Sequence, residues 1–193
     1  MTIKEENYIF WKDIWDRKGR EDTDNLLYLD GYEHLNIEFD SKEICKKISN
    51  IISLEDSDYV LEVGCGAGFL SRDFGGIYEG IDYSQSLIEK NRQYHKKNVF
   101  VCEANKIFYP DKSFDKVFCF GLFQYFPTKK YAFNALEEMK RVARKCVFLG
   151  DLKTFGLDKH QKYCKDDFPG ATFSECLHDP NDKRRFNVLI EVK

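Results

Sequence analysis

From residue 58 onwards, short apolar runs alternate with longer amphipathic segments, and this alternation constrains the fold more than any other feature of the sequence. Five of the apolar runs have the length of strands and lie at 58–63, 77–83, 98–102, 115–120 and 146–150. Helices are predicted between them, the first ending near Phe74 and the others over 84–95 and 129–145. Strands that alternate with helices of ten or more residues form a mostly parallel sheet with helices on both faces.

The end of the sequence predicts two more strands, at 172–177 and 185–192, after an ill-defined helical stretch near 157–166. Between the strands lies the segment 179–182 (DPND), whose residue types are typical of a turn. A short turn joins antiparallel neighbours, so we expect the final strand to run against the others. The sequence therefore predicts an α/β fold, a doubly wound sheet of about seven strands that is mostly parallel with the last strand antiparallel.

An amphipathic helix is predicted near the N-terminus. Tyr8, Trp11 and Trp15 recur at helical spacing with charged residues between them, which indicates a helix over 5–18 that ends at Gly19. The aromatic face either covers a ligand site as a lid or packs on the core. We favour the lid.

The first 43 residues differ from the rest of the sequence and are expected to form a helical cap, followed by the main domain at 44–193. No clear pattern is visible in 20–40. A helix is predicted over 41–53, where apolar residues share one side and Ser41 is a suitable N-cap.

Charge and composition exclude several classes of protein. The formal net charge is −3 and the longest basic cluster, 183–185, has only three residues, so the sequence lacks the basic surface of a nucleic-acid binder. Its apolar runs are far shorter than the roughly 20 residues that cross a membrane, and the first residues have no signal-peptide core. The seven cysteines form no CxxC pair, and those in apolar runs are expected to be buried. We therefore expect a cytoplasmic protein with no disulfide or metal site and no nucleic-acid or membrane partner.

The most informative segment is Glu62-Val-Gly64-Cys-Gly66-Ala-Gly68, which directly follows the first strand. Glycine lets a backbone turn tightly and approach a ligand closely. In doubly wound folds, ligands bind at the carboxyl ends of the strands, where this loop lies. A dinucleotide-binding loop has the pattern GxGxxG or GxGxxA, and this sequence has Phe69 at the last of those positions. The loop therefore predicts a cofactor site of another kind and disfavours a nucleotide-dependent oxidoreductase.

The GxGxG loop resembles the nucleoside-binding loop of the class I S-adenosylmethionine-dependent methyltransferases, and further motifs of that family follow in the same order. Asp82 ends the second strand, and Glu103-Ala104 follows the third. Residues 107–115 (IFYPDKSFD) resemble the run that leads into the family's fourth strand. Residues 120–125 (FGLFQY) match the segment after that strand, which flanks the methionine and the methyl group.

The resemblance covers residues 44–152 and implies a Rossmann-like fold, with S-adenosylmethionine as cofactor and S-adenosylhomocysteine as product. It implies that the carboxylate of Asp82 accepts hydrogen bonds from the ribose hydroxyls and that Glu103-Ala104 contacts the adenine edge. Glu62 would orient the amino group of the cofactor or the glycine loop. The implied cofactor site comprises Glu62, Gly64, Cys65, Gly66, Gly68, Asp82, Tyr83, Glu103, Ala104, Phe120 and Gly121.

The reaction implied is attack of an acceptor on the sulfonium methyl group, for which alignment and exclusion of water matter most. Gln124 and Tyr125 are expected nearest the methyl group. Asp151 and His160 are the candidate bases. Phe108 would either flank the adenine or pack against its neighbours.

A small molecule is the expected acceptor, a metabolite, sugar or natural-product intermediate, because Tyr8, Trp11 and Trp15 offer an aromatic wall. The segment after the fourth strand lacks the [DN]-P-P-[YF] motif of adenine and amide nitrogen methyltransferases. A monomer or homodimer is expected. The alternative interpretation is a catalytically inactive, cofactor-binding regulatory or scaffold protein.

Overall fold

Seven strands form one mixed sheet in the computed structural model, which describes residues 3–33, 40–156 and 159–192. The strands are β1 Tyr59–Val63, β2 Ile77–Asp82, β3 Asn98–Val101, β4 Phe114–Phe120, β5 Ala143–Lys153, β6 Thr172–Glu175 and β7 Arg185–Glu191. Their order across the sheet is β3-β2-β1-β4-β5-β7-β6. Strands β1 to β5 are parallel, whereas β7 runs antiparallel to both of its neighbours. The predicted fold class, including the antiparallel last strand, is confirmed.

Helices flank this sheet. They are α1 Ile3–Arg20, α2 Leu26–Leu29, α3 Ser41–Ile51, α4 Gln85–His95 and α5 Lys129–Val142, with short 3₁₀ helices at Phe123–Tyr125 and Lys165–Asp167. Ser84 caps α4 as its sequence position suggested, because its hydroxyl oxygen accepts a hydrogen bond from the N–H of Leu87 at 3.4 Å. No helix in the described ranges is long and apolar enough to span a bilayer.

Two predicted helix ends are wrong. The N-cap of α3 is Asp40 rather than Ser41, since the Asp40 carboxylate accepts a hydrogen bond from the N–H of Lys42 at 2.9 Å. Gly19 does not end α1, which continues to Arg20. A Cβ atom at Gly19 would lie 2.4 Å from the hydroxyl of Ser86, so this glycine allows α1 to pack closely on α4.

The helix predicted to end near Phe74 is also wrong. Residues 65–76, all of which the structure describes, form successive turns instead. Gly68 has a φ of +103°, which interrupts a right-handed helix, and the carboxylate of Asp30 accepts hydrogen bonds from two main-chain N–H groups of the loop. A distant side chain therefore satisfies donors that a helix would have used.

Two poorly patterned stretches of the sequence are only partly described. In 20–40 the structure has α2, while His34 and the rest of 34–39 lie outside the described residues. Residues 157–158 of the predicted helical stretch also lie outside them. In the remainder of 157–166, the structure shows only the start of the 3₁₀ helix Lys165–Asp167, so the longer helix is not confirmed.

The core lies on both faces of the sheet, and the central strand β4 contributes to both. Val117 and Cys119 pack on the face that α5 covers, and Phe118 and Phe120 on the face that α3 and α4 cover. All four side chains are buried. Strand β4 is therefore buried on both faces of the sheet.

Helix α1 lies over the edge of the sheet where β2, β3 and β4 end. It is anchored to α4 through Asp16, whose carboxylate accepts a hydrogen bond from Ser84 Oγ at 2.6 Å and whose carbonyl accepts one from Ser86 Oγ at 2.9 Å. Trp15 meets the ring of Tyr125, in the segment after β4, at a centroid distance of 5.0 Å. The helix is thus placed to cover whatever binds at this edge.

Candidate functional site

The loop after β1 forms one wall of the site. Gly64, Gly66 and Gly68 have φ values of +80°, +50° and +103°, in the left-handed region that favours glycine. The N–H groups of Gly64 and Cys65 both donate to the carbonyl oxygen of Ile81, at 2.7 and 3.0 Å. The glycine run thereby turns tightly beside the end of β2.

Two neighbouring cavities open at this edge of the sheet. The first, of about 490 Å³, lies beyond β2 and β3, and the second, of about 510 Å³, lies between the glycine loop and the segment after β4. Gly64, Asp82, Tyr83, Trp15 and Tyr125 are among the residues that line both. Because the cavities share these walls, one elongated ligand can extend from the first into the second.

Nearly all of the predicted cofactor residues face these cavities. The first is lined by Gly64, Asp82, Tyr83, Glu103 and Ala104, and the second by Glu62, Gly64, Cys65, Gly66, Asp82, Tyr83, Phe120 and Gly121. Gly68 lines neither and instead faces the side chains of His95 and Asn91 of α4. Phe108 lines neither cavity; it is 56% exposed, and its ring lies 4.4 Å from that of Tyr109.

Asp82 stands where the two cavities meet. One carboxylate oxygen accepts a hydrogen bond from the N–H of Ser84 at 2.8 Å, and the other accepts one from the N–H of Gly66 at 3.2 Å. The residue is only 7% exposed, and burial raises the pKa of its carboxyl group to about 6. Each carboxylate oxygen has a second lone pair, so a ligand hydroxyl can still donate to it.

Glu103 joins the N-terminal helix to the first cavity. Its carboxylate accepts a short hydrogen bond from the hydroxyl of Tyr8 and another from the hydroxyl of Tyr131 at 2.6 Å. The ring of Tyr8 lies 6.1 Å from that of Tyr83. Tyr8 therefore closes the first cavity from the side of α1.

Asp30 is a residue of this site that the sequence analysis missed. Its carboxylate accepts hydrogen bonds from the N–H groups of Ala67 and Phe69, at 2.7 and 2.8 Å, and it lines the second cavity. The Asp-Gly pair at 30–31 is a turn signal, but nothing near it in the sequence indicates that the turn lies against the glycine loop. Burial raises the pKa of the Asp30 carboxyl group to about 7.

Glu62 adds another buried carboxyl group to the second cavity. It accepts a hydrogen bond from the hydroxyl of Tyr78 at 2.5 Å and is 3% exposed. Burial raises the pKa of Glu62 to about 8, and the neighbouring carboxylates of Asp30 and Asp82 add to that rise. The second cavity thus holds acidic groups that a cationic ligand would stabilise in their ionised form.

These raised pKa values predict that the protein without ligand loses stability as the pH rises. In the folded protein Asp30 and Glu62 still hold protons near pH 7, which the unfolded chain has already released, so unfolding releases protons. The free energy of unfolding is therefore expected to fall by about 1–2 kcal/mol between about pH 7 and pH 8.5. Urea titrations at the two pH values measure this. The Glu62→Gln variant, which lacks the group with the higher pKa, should lose most of the dependence, and stability that rises over this interval would contradict the assignment.

A third and larger cavity, of about 1700 Å³, lies on the far side of Trp15 and Tyr125, which also line the first two. The indole of Trp11 is buried, stacks on the ring of His160 at 5.0 Å, and donates a hydrogen bond to the carbonyl oxygen of Lys159 at 3.2 Å. His160 also meets the ring of Tyr125 at 5.3 Å. Two of the three predicted lid residues, Trp11 and Trp15, thus share this cavity with the predicted base His160, whereas Tyr8 lines the first cavity.

The structure places the other two predicted catalytic residues away from the cavity linings. Gln124 is 2% exposed, and its amide group donates to the carbonyl oxygen of Gly121 at 2.6 Å. Asp151 is 3% exposed and forms an ion pair with Arg185 at 2.5 Å. Each therefore contacts a residue that lines a cavity, Gly121 or Arg185, without lining a cavity itself.

Asp151 also belongs to a group of side chains with metal-ligating atoms. In the described part of the chain, the ligand atoms of Asp151, Cys176 and His178 lie within 4.8 Å of one another. The guanidinium group of Arg185 already lies against the Asp151 carboxylate. A cation at that position opposes binding of a second cation, so we assign no metal to this cluster.

Comparisons with known proteins agree on one family. A methyltransferase domain model matches residues 61–149. The probable methyltransferase ltbC of Aspergillus luteorubrus is 31% identical over 108 residues, which are 47% of this chain and 38% of that protein. Malonyl-acyl-carrier protein O-methyltransferase 2 of Ilyobacter polytropus is 29% identical over 120 residues, which are 56% of this chain and 45% of that protein. The chain thus spans less than half the length of either curated relative.

A solved structure extends the similarity to the whole chain. The crystal structure of magnesium protoporphyrin IX methyltransferase from Synechocystis PCC 6803 with bound SAM covers 100% of this chain and 98% of its own, with a TM-score of 0.67 and 13% identity. At this identity the similarity concerns the fold.

Proposed function

We propose that this chain, which belongs to the class I S-adenosylmethionine-dependent methyltransferases, binds S-adenosylmethionine across the first two cavities and transfers its methyl group to a small molecule. The observation that carries the proposal is the buried carboxylate of Asp82, which stands beside the glycine loop where the two cavities meet. A ligand with a nucleoside at one end and an amino acid at the other needs a hydroxyl acceptor at such a junction.

The side chains of the site suit the chemistry of this cofactor. Its sulfonium and ammonium groups are cationic, and the second cavity is lined by the buried carboxyl groups of Asp30, Glu62 and Asp82. Opposite charges in a buried site favour each other's ionised form. Asp82 would hold the ribose hydroxyls, Asp30 and Glu62 the amino acid end, and Glu103 and Ala104 the adenine.

When bound, S-adenosylmethionine supplies a methyl group activated by its sulfonium sulfur. The chain itself has to align the acceptor and exclude water, and such alignment can contribute on the order of 7–11 kcal/mol. Trp15 and Tyr125 line all three cavities and so stand between the cofactor and the third cavity. They would shield the reacting atoms and set the approach of the acceptor.

The third cavity is the proposed acceptor site. Its aromatic side chains, among them Trp11, Trp15, Tyr125 and His160, suit a small organic molecule. Of the two candidate bases His160 is the one that lines this cavity, and it would accept a proton from an acceptor that must lose one. Asp151 would act only by positioning Arg185.

Substitution of Asp82 tests the cofactor site. The Asp82→Ala variant loses the proposed ribose acceptor and is expected to bind S-adenosylmethionine about 1.5–3 kcal/mol more weakly, roughly a tenfold to 150-fold rise in Kd. Isothermal titration calorimetry measures the change. Asp56→Ala is the matched control, because Asp56 is exposed and precedes β1, at the opposite edge of the sheet. An Asp82→Ala variant that binds within about twofold of the wild type would place the ribose elsewhere.

Catalysis itself needs a separate measurement. The wild-type protein with S-adenosylmethionine and a panel of small acceptors is expected to release S-adenosylhomocysteine together with one methylated product, detected by mass spectrometry. Tight cofactor binding with no methylated product from any acceptor would favour a cofactor-binding regulatory protein instead.

A further inference from the structure

The ammonium group of Lys153 differs from the other charged groups of the third cavity because it is buried without an ion-pair partner among the described residues. Lys153 is the last residue of β5, it lines the cavity, and it is only 5% exposed. Within residues 3–33, 40–156 and 159–192, no side chain or carbonyl forms a hydrogen bond or ion pair with this ammonium group. Buried charges are normally paired, so this one indicates a partner that binds from outside the chain.

The register of the sheet places a second cation beside it. Lys153 lies directly opposite Arg185 on the antiparallel strand β7, so the two side chains share one face of the sheet. Arg185 is 8% exposed and is held by the carboxylates of Asp151 and Asp182, at 2.5 and 3.4 Å. Like charges at directly opposite positions repel each other, and here only Arg185 has acidic partners.

The acidic residues that line the cavity are engaged by other groups. Asp182 forms an ion pair with Arg184 at 2.8 Å, and Glu33 forms one with Lys18 at 2.7 Å. The carboxylate of Asp179 accepts a hydrogen bond from a main-chain N–H at 3.0 Å. Among the lysine and arginine side chains that line the cavity in the described residues, Lys18, Arg184 and Arg185 each form an ion pair and Lys153 forms none.

Burial and the nearby Arg185 lower the pKa of Lys153, and the carboxylates of Asp151 and Asp182 only partly oppose that shift. An anion close to the ammonium group would reverse that effect and favour its charged form. The gain is larger in a buried site than at the surface, because water screens the interaction less.

We propose that the acceptor is a small organic acid whose anionic group, a carboxylate or a phosphate, pairs with Lys153 while its apolar body lies on the aromatic wall of Trp11, Trp15 and Tyr125. This inference rests on the proposed function, since it takes the third cavity as the acceptor site. Trp15 and Tyr125 adjoin the cofactor cavities, whereas Lys153 lines only the third. The anionic group would thus anchor the acceptor away from the atom that receives the methyl group.

Binding of matched probes tests the proposal without any methyl transfer. The probes are 4-hydroxybenzoate, phenyl phosphate and the neutral 4-hydroxybenzamide, titrated by calorimetry into the full chain. At least one anion is expected to bind about tenfold or more tightly than the amide, and the better of the two identifies the anionic group as carboxylate or phosphate. Equal binding of all three probes, or binding of none, would overturn the proposal.

Variants at one position show whether Lys153 is responsible. Lys153→Met keeps the length of the side chain and is expected to lose about tenfold or more of the anion affinity, with the amide unaffected, while Lys153→Arg keeps most of it. Lys162→Met is the matched control, because Lys162 is exposed and does not line the cavity. Removal of an unpaired buried charge should leave the melting temperature equal or higher, so folding of the Lys153→Met variant is checked independently. Wild-type anion affinity in folded Lys153→Met would refute the role of Lys153.

Titration of the same proteins with S-adenosylmethionine separates this inference from the proposed function. Lys153→Met is expected to bind the cofactor as the wild type does. Absence of anion selectivity in the wild type, with intact cofactor binding, would defeat only the anion inference. Absence of cofactor binding by the wild type would defeat the proposed function.

Discussion

A Gly66→Val substitution is expected to abolish binding of S-adenosylmethionine while the seven-stranded sheet stays folded. Gly66 has a φ of +50°, and a Cβ atom there would lie 2.2 Å from a carboxylate oxygen of Asp30. The branched valine would therefore both strain the turn and push Asp30 away from the N–H groups of Ala67 and Phe69. Both effects change the wall of the second cavity, where the amino acid end of the cofactor is proposed to lie.

Calorimetry with S-adenosylmethionine measures the loss, and circular dichroism reports whether the sheet remains. Gly170→Val is the matched control, because Gly170 also has a positive φ, +79°, but a Cβ atom there would have no neighbour within 4 Å. This control shows the effect of backbone strain alone, on the order of 1–3 kcal/mol, without the collision. Wild-type cofactor affinity in folded Gly66→Val would mean that the cofactor binds elsewhere.

Removal of residues 1–20 is expected to weaken cofactor binding by at least about tenfold and still leave a folded domain. The removed helix carries Tyr8, which closes the first cavity through Glu103, and Trp15, which lines both cofactor cavities. The buried residues of the two core clusters all lie at or after Leu26, so the sheet keeps its own apolar contacts. Trp11 is nevertheless buried, so its removal is expected to lower the free energy of unfolding. Each 1 kcal/mol lost from that free energy lowers the melting temperature by roughly 2–4 °C at this chain length.

Melting curves and calorimetric titrations of the truncated protein decide between a lid and a part of the core. Tyr8→Phe is the companion variant, because it keeps the helix and removes only the hydroxyl that contacts Glu103. We expect its affinity to lie between those of the wild type and the truncated protein. A truncated protein that no longer unfolds cooperatively would show that α1 belongs to the core, and one that binds the cofactor as the wild type does would show that α1 is no lid.

Local patterns in the sequence were sufficient to predict the scaffold. Apolar runs of strand length marked the strands of the sheet. The turn residues at 179–182 correctly indicated that the last strand runs antiparallel to its neighbours. The glycine loop and the acidic residues Asp82 and Glu103 follow strand ends, so the parallel topology alone brings them to one edge. Periodicity failed after the loop, where Gly68 and the distant Asp30 replaced the expected helix by turns. It also failed near 157–166, where the described residues show only the start of a short 3₁₀ helix.

The walls of the site could not be predicted in the same way, because they depend on contacts between segments far apart in the chain. Asp30 lies in a stretch with no periodicity, 37 residues before the N–H group of Ala67 that it contacts. Lys153 and Arg185 are 32 positions apart, and only the register of β7 on β5 places them opposite each other. Hydrophobic periodicity indicates which face of a segment is buried. The partner of a polar side chain, by contrast, depends on how distant segments pack against one another in the tertiary structure. The sequence by itself therefore determined the sheet and the glycine loop, and only the tertiary structure decided which charges are paired around the cavities and which cation is left for a ligand.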